Sequence, residues 1–415
     1  MSHRDADVLV IGGGPAGASV GIRLARAGWQ VAILEQSGYP RPKVCGGCLS
    51  SASLCQLDDL GVGEPLLDLA GPEIRRLAWT AHRRTATAGM PPCDSGPHRY
   101  GRAIGRDLLD AMLLDRARDL GVRILQPARA QRLSGTCGEF VCEYHVRTTD
   151  EHRPRAKVAK ISAAIVVDAH GSWERAPAYH ELGQRDRRTP PAERGNLLAF
   201  RATFSDTSLP AGLLSLLSLP GGYGGMVVSD HGRTTVACCI RRDILRECRL
   251  PAPGTTAGAA VERLLRTLWN DLAIALRDTS LDGGWQSIGP LRPGFHPRSP
   301  LGMFAVGNAA AEAHPVIGEG ICMALESAAM LAIALGHRPS SVTACSTGVA
   351  QGKHMRMMRA AFARRLMLAQ LYSHLAMRGR VATAATMLMR AFPRTLTLAA
   401  QLAGKAHGAA LLAVW

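Results

Sequence analysis

The sequence predicts an α/β fold: a Rossmann-type dinucleotide-binding domain, discontinuous in the chain, with an inserted antiparallel β-sheet domain and a C-terminal helical segment. Three observations predict it. The chain opens with an apolar run, a G-x-G-x-x-G turn, a helix and a second apolar run. Two further buried-strand patterns, ending at Asp168 and Val306, lie far downstream, on either side of a stretch of short strands at 195–290. From about 346 onward the pattern is helical.

A chain of 415 residues is too long for one small core. The expected division is 1–180 for the first part of the dinucleotide-binding domain, 181–295 for the substrate-binding sheet domain, 296–345 for its second part and 346–415 for the helical region. Hydrophobic residues make up 47% of the chain, yet no run of about 18 uncharged apolar residues appears, which excludes a hydropathy-defined membrane span. The opening "MSHRDADVLVIGGG" carries charge where a secretory leader needs an apolar core, so a cytoplasmic location is expected. The 11 cysteines are scattered and suit thiols in a reducing compartment; neither they nor the histidines show a metal-binding spacing.

Residues 7–11 suit a parallel strand buried on both faces. Gly12 permits the tight turn that follows. Gly14 lets backbone amides approach a pyrophosphate, and Gly17 lets helix and strand pack closely. The helix, running to about Ala27 and stopped by Gly28, aims its positive N-terminus at the phosphates. A second strand, "QVAIL", ends at Glu35, about 20 residues past the turn, where an acid accepts hydrogen bonds from ribose hydroxyls. One such unit near the start, with no second fingerprint downstream, indicates a resident flavin, FAD; "GVGEPL" at 61–66 lacks the third glycine and the preceding strand.

Three later segments complete the domain. "RAIGRDLLDAMLLDRARDLGVRILQPA" is a helix followed by a short strand. "AAIVVDAHGS" is a buried strand ending at Asp168, with Gly171 beyond it. "LGMFAVGNAAAEAHPVIGEGICMALESAAML" is a strand, a Gly307-Asn308 turn, a loop through Gly318 and a long helix starting near Gly320. Between them, "NLLAFRATFS", "YGGMVVSD" and "RTTVACCIRR" are short strands suited to a sheet covering one face of the cofactor, followed by a helix around 257–276.

Taken together, these segments resemble the flavoprotein group that contains geranylgeranyl reductases, aromatic and ubiquinone-pathway hydroxylases and flavin-dependent halogenases, over roughly residues 5–345. The resemblance implies an FAD-binding domain of the GR2-like, discontinuous type. "PRPKVCGGCLS" is closest to the geranylgeranyl reductase pattern, in which this loop passes beside the flavin, so Cys45, Gly46 and Cys48 inherit a cofactor contact. The same resemblance implies that Ala16 and Glu35 touch the AMP half, Arg106 the phosphate–ribityl region, and Ala128 the adenine through its backbone. It gives Asp168, Gly171, Asn308 and Gly318 cofactor roles, and it aims the helix opening at Gly320 and Ile321 at the flavin edge where charge accumulates on reduction. Bland readings stand beside these: an i,i+4 pair of Arg106 with Asp110, a turn-forming Asp168, and a loop-capping His314.

Departures are also visible. "PGGYGGMVVSDHG" carries Gly225 and Met226 where the reductases have Trp and Phe-Pro, and Gly307-Asn308 replaces Gly-Asp. The Trp-x-Trp-x-Ile-Pro element of halogenases is absent, with Lys43 the lysine nearest to a halogenase role.

The expected function is FAD-dependent oxidation–reduction of a hydrophobic small molecule (a polyketide, quinone or isoprenoid-like compound), with NAD(P)H as electron donor. Hydroxylation with O2 and double-bond reduction both fit; a halogenase and a non-catalytic flavin scaffold are the alternatives. Cys48, His314 and Glu319 are the expected proton-handling residues. The last acidic residue is Glu326, and eleven Lys or Arg follow it. A docked helical cap with a solvated basic face is the first explanation; a membrane-surface or acyl-carrier contact is the alternative, giving a membrane-peripheral location. Nucleic acid is excluded, since no zinc-finger or aromatic RNA-binding signature accompanies the charge. Met358, Phe362, Leu366, Ala369, Tyr372 and Leu375 form the expected apolar face, with Arg359, Arg364 and Arg365 off it.

Overall fold

The computed structural model describes residues 4–146, 157–171, 178–179, 196–250, 254–296 and 299–404. Its first sheet is built on the strand Ala6–Ile11, which pairs in parallel with Val31–Leu34 on one side and with Lys157–Asp168 on the other. Arg123–Leu125 extends the parallel side, and Met303–Ala305 joins the end of Lys157–Asp168. The antiparallel strands Phe140–Val146 and Ala128–Ser134 continue the other edge. Val8, Leu9 and Val10 are fully buried, as a strand covered on both faces requires. Each such side chain contributes about 1.5–3 kcal/mol on leaving water.

On one face lie the helices Pro15–Arg26, Arg106–Asp119 and Gly320–Leu335, which share a core with Ile22, Leu109, Leu113, Leu325 and Ala328. The strand Met303–Ala305 is therefore contiguous with a parallel sheet laid down some 300 residues earlier. That contiguity brings the Gly307 turn and the start of the Gly320–Leu335 helix to the edge of the glycine turn.

The second sheet runs Ser280–Leu281, Leu197–Ser205, Thr234–Arg241, Gly222–Val228, Leu213–Leu219, Arg76–Ala81, Arg84–Gly89, with Gln286–Ile288 also on Leu197–Ser205. Three features differ from the sequence reading. Arg76–Gly89, which the 1–180 division groups with the first domain, forms a hairpin on this second sheet. One pair, Leu213–Leu219 with Arg76–Ala81, is parallel within an otherwise antiparallel sheet. The helical stretch around 257–276 is two helices, Ala257–Leu268 and Asn270–Ala275, broken at Trp269. The division point at 180–181 lies outside the described residues.

Among the described residues, the C-terminal region forms three helices, Ala344–Ala376, Gly379–Ala391 and Arg394–Leu402. Met358, Phe362 and Ala369 face inward as the periodicity predicts. Arg365 does not stay off the buried face: its guanidinium turns in to form a two-toothed pair with Glu326 on the Gly320–Leu335 helix, at 2.5 and 3.0 Å. Burial raises the Glu326 pKa, an effect Arg365 opposes. Among the described residues, no helix is long and apolar enough to cross a membrane.

Candidate active site

A single cavity of about 400 Å3 runs from the glycine turn, past the Lys43–Cys48 loop, across the second sheet and under the C-terminal helices.

At one end the backbone is forced close. Gly12 has φ +108°, and a Cβ there would lie 2.4 Å from the Ala169 carbonyl oxygen. A Cβ on Gly17 would lie 1.9 Å from the Gly12 carbonyl, so helix and turn touch without intervening side chains. Gly14 is different, since a Cβ there meets only the Arg106 guanidinium, at 3.6 Å. Glu35 is 2% exposed; its two oxygens accept from the Gly13 amide at 2.8 Å and the Ser37 amide at 2.9 Å, and the Tyr39 hydroxyl donates at 3.2 Å. Gly12, Gly14, Ala16 and Glu35 line the cavity, while Gly17 stands behind it. An open backbone cradle at a helix N-terminus, with a carboxylate at its rim, fits the diphosphate and ribose of an adenine dinucleotide.

Arg106 opens its helix, lines the cavity and forms the i,i+4 pair with Asp110. Its guanidinium grips Asp110 at 2.6 and 2.8 Å while lying beside Gly14. The Gly105 amide before it donates to the buried Asp230 of the second sheet at 2.5 Å, which ties the two sheets together at this point.

The Cys45–Cys48 loop is wedged. Gly47 has φ +70° with its would-be Cβ 2.4 Å from the Ile104 carbonyl, and Gly46 faces Ala237 of the second sheet at 3.9 Å. Cys45, Gly46 and Cys48 all line the cavity. The wall opposite is Gly171, Asn308, Gly318, Gly320 and Ile321. Gly307 (φ +57°) donates its amide to Ser327 Oγ at 2.8 Å and presses on Ala16, which sets Asn308 beside the first helix.

Four expected residues sit elsewhere. Asp168 does not line the cavity; it contacts the ring of His170, which does. Ala128 is buried behind Glu35, and its amide donates to the Glu35 carbonyl at 2.7 Å. Glu319 is 2% exposed and turned away from the cavity, taking a hydrogen bond from Ser50 at 3.2 Å. His314 lies behind the wall, 3.4 Å from the Tyr223 hydroxyl, and burial pushes its pKa down to about 4. An imidazole held neutral is no acid at neutral pH.

The sequence reading named no role for Tyr223, Arg41 or His170, which line the cavity together with Lys43, the residue it set nearest to a halogenase lysine. Arg41 and Lys43 flank the cysteine loop, and Tyr223 lies in the glycine-rich strand, so proximity to a motif was the available signal. Burial raises the Tyr223 phenol well above its ordinary pKa, and its neighbour Cys239 is pushed up to about 12. Both keep their protons at neutral pH. Beyond Tyr223 the cavity turns apolar, walled by Leu77, Met90, Leu216 and Met226, then by Leu375, Met389 and Leu396 of the C-terminal helices.

The family profile described as FAD binding domain matches residues 5–341. The menaquinone reductase of Mycobacterium tuberculosis strain H37Rv is 27% identical over 353 residues, covering 80% of this chain and 77% of that protein. Among solved structures, a geranylgeranyl bacteriochlorophyll reductase-like protein from Thermoplasma acidophilum superposes with TM-score 0.67 at 15% identity, over 96% of this chain and 99% of that one. The myxobacterial chondrochloren halogenase superposes with TM-score 0.70 at 19% identity, over 96% and 90%. At these identities the structural matches concern the fold.

Proposed function

Because the chain belongs to the FAD binding domain family and is an FAD-dependent oxidoreductase, we propose that it reduces a carbon–carbon double bond in the isoprenoid part of a hydrophobic small molecule, such as a prenylated quinone, with NAD(P)H as electron donor. The observation that carries this reading is the continuity of the cavity: a glycine cradle at one end opens without interruption into a chamber walled by Leu, Met and Ala side chains. An extended apolar chain fits there better than a compact polar ring. The similarity to a menaquinone reductase over most of both chains supports the same substrate class.

When bound and reduced by NAD(P)H, the flavin would supply the hydride. The chain's own residues do the rest. The cradle, Arg106 and the cysteine loop hold the cofactor, the apolar wall orients the double bond and excludes water, and Tyr223 offers the proton that completes the addition. The phenol is protonated at neutral pH, and Tyr223 lines the same cavity as the cradle and the apolar side chains.

Hydroxylation is the second reading, favoured by His314-Pro315 and by Gly225 and Met226 where the reductases carry bulkier residues. Incubation with FAD, NADPH and a prenylated quinone, with and without O2, separates the two. A product that keeps two added hydrogens on the prenyl chain after the ring is reoxidised to the quinone, in both conditions, supports reduction. A product that needs O2 and gains oxygen sinks it.

A further inference from the structure

The helices that close the chamber present an apolar and cationic surface on their other side. Residues 390–394, the corner between Gly379–Ala391 and Arg394–Leu402, are all exposed. Phe392 is 62% exposed at its tip and Leu388 53%, with Met387 and Leu398 beside them in sequence on the same two helices. Arg390 and Arg394 flank Phe392.

A second basic element adjoins the first of these helices. The hairpin turn His82, Arg83, Arg84 is exposed, and His82 Nε2 lies 3.0 Å from where a Cβ on Gly379 would be, between the exposed Arg378 and Arg380. No acidic residue follows Glu326 to offset these charges. The helices are held in place from within: Thr397 Oγ1 donates to the Gly89 carbonyl at 3.0 Å and the Tyr372 hydroxyl to the Ala399 carbonyl at 3.3 Å.

Exposed large apolar side chains grouped in this way in a water-facing protein indicate a partner. A protruding corner of Phe and Leu between arginines suits a bilayer interface, with rings and aliphatic chains entering the acyl boundary and guanidinium groups on the phosphates. We propose that the 387–398 corner docks on the surface of an anionic lipid bilayer. The inner faces of the same helices carry Met389 and Leu396 into the cavity wall, so docking sets the chamber directly against the membrane in which a prenylated substrate resides. The assignment of substrate rests on the function proposed above; the docking itself does not require turnover.

The test is flotation of the full-length, FAD-loaded protein with vesicles of phosphatidylcholine alone or mixed with phosphatidylglycerol. Binding is expected to the mixed vesicles and to weaken with salt. Combined R390Q and R394Q should lower the partition coefficient about thirtyfold, the effect of removing two interfacial cations. Combined L388S and F392S should lower it about tenfold or more while leaving the salt dependence intact. All these residues are exposed and outside the cavity wall, so flavin content and flavin reduction by NADPH should match the parent. Absence of flotation with anionic vesicles, equal flotation of parent and both variants, or arginine-dependent binding of an acyl carrier protein in place of vesicles would overturn the proposal. Docking without double-bond reduction of a vesicle-borne quinone fails only the functional reading; reduction of a detergent-dispersed quinone without docking fails only this one.

Discussion

Gly14→Ala separates cofactor crowding from folding. Gly14 stands at φ −70° and ψ −174°, backbone that alanine adopts freely. Its Cβ would meet only the Arg106 guanidinium at 3.6 Å, an ordinary contact. The apoprotein should therefore keep its stability or gain about 0.4–1 kcal/mol from the stiffer unfolded chain. The methyl nevertheless projects into the cradle, where the diphosphate must approach the backbone. Crowding of that kind costs about 1–3 kcal/mol, which weakens FAD binding roughly five- to 150-fold. Gly17→Ala provides the contrast, because its Cβ would lie 1.9 Å from a backbone carbonyl, so folding itself should suffer. Flavin-fluorescence titration of the apoprotein, with thermal unfolding of the same samples, reads both quantities. A Gly14→Ala protein that binds FAD with the parent Kd would refute the cradle assignment.

Four further outcomes follow from the same geometry. Arg365→Ala leaves Glu326 buried without its partner and should destabilise the protein by about 3–5 kcal/mol in chemical unfolding. His314 and His354, whose pKa values burial pushes down to about 4, should make stability fall as pH drops from about 6.5 toward 4, because the unfolded chain takes up protons that the folded one refuses; the loss reaches about 3 kcal/mol for the more enclosed His354 and less for His314, and His354→Gln should flatten that slope. Tyr223→Phe should lower turnover with FAD content unchanged, whereas Cys45→Ser with Cys48→Ser should leave turnover within about tenfold if the loop acts through its backbone; abolished turnover at full FAD content would assign chemistry to the thiols.

The cradle was legible because its requirements are local. A positive φ at Gly12 and a missing Cβ at Gly17 are backbone demands that only glycine meets, and Glu35 follows from strand length. Side-chain direction was less legible. His314 and Glu319 flank an eligible loop, but the turn through Pro315 and the left-handed Gly318 points both away from the cavity, and no local pattern encodes that rotation. Arg365 reads as solvent-facing by periodicity, yet a buried carboxylate 39 positions earlier draws it inward. The Arg76–Gly89 hairpin joins the second sheet through a parallel pair with Leu213–Leu219, a partnership across more than 130 residues. The chamber wall formed by the C-terminal helices depends on the same kind of long-range packing.

The most direct test of the account is anaerobic. Protein loaded with FAD and reduced without O2 is mixed with a prenylated quinone, and flavin absorbance is followed together with product mass. The expected result is that the flavin reoxidises and that fragmentation places the two added hydrogens on the prenyl chain rather than on the quinone ring. A flavin that stays reduced until O2 is admitted, then yields an oxygenated or halogenated product, would contradict it.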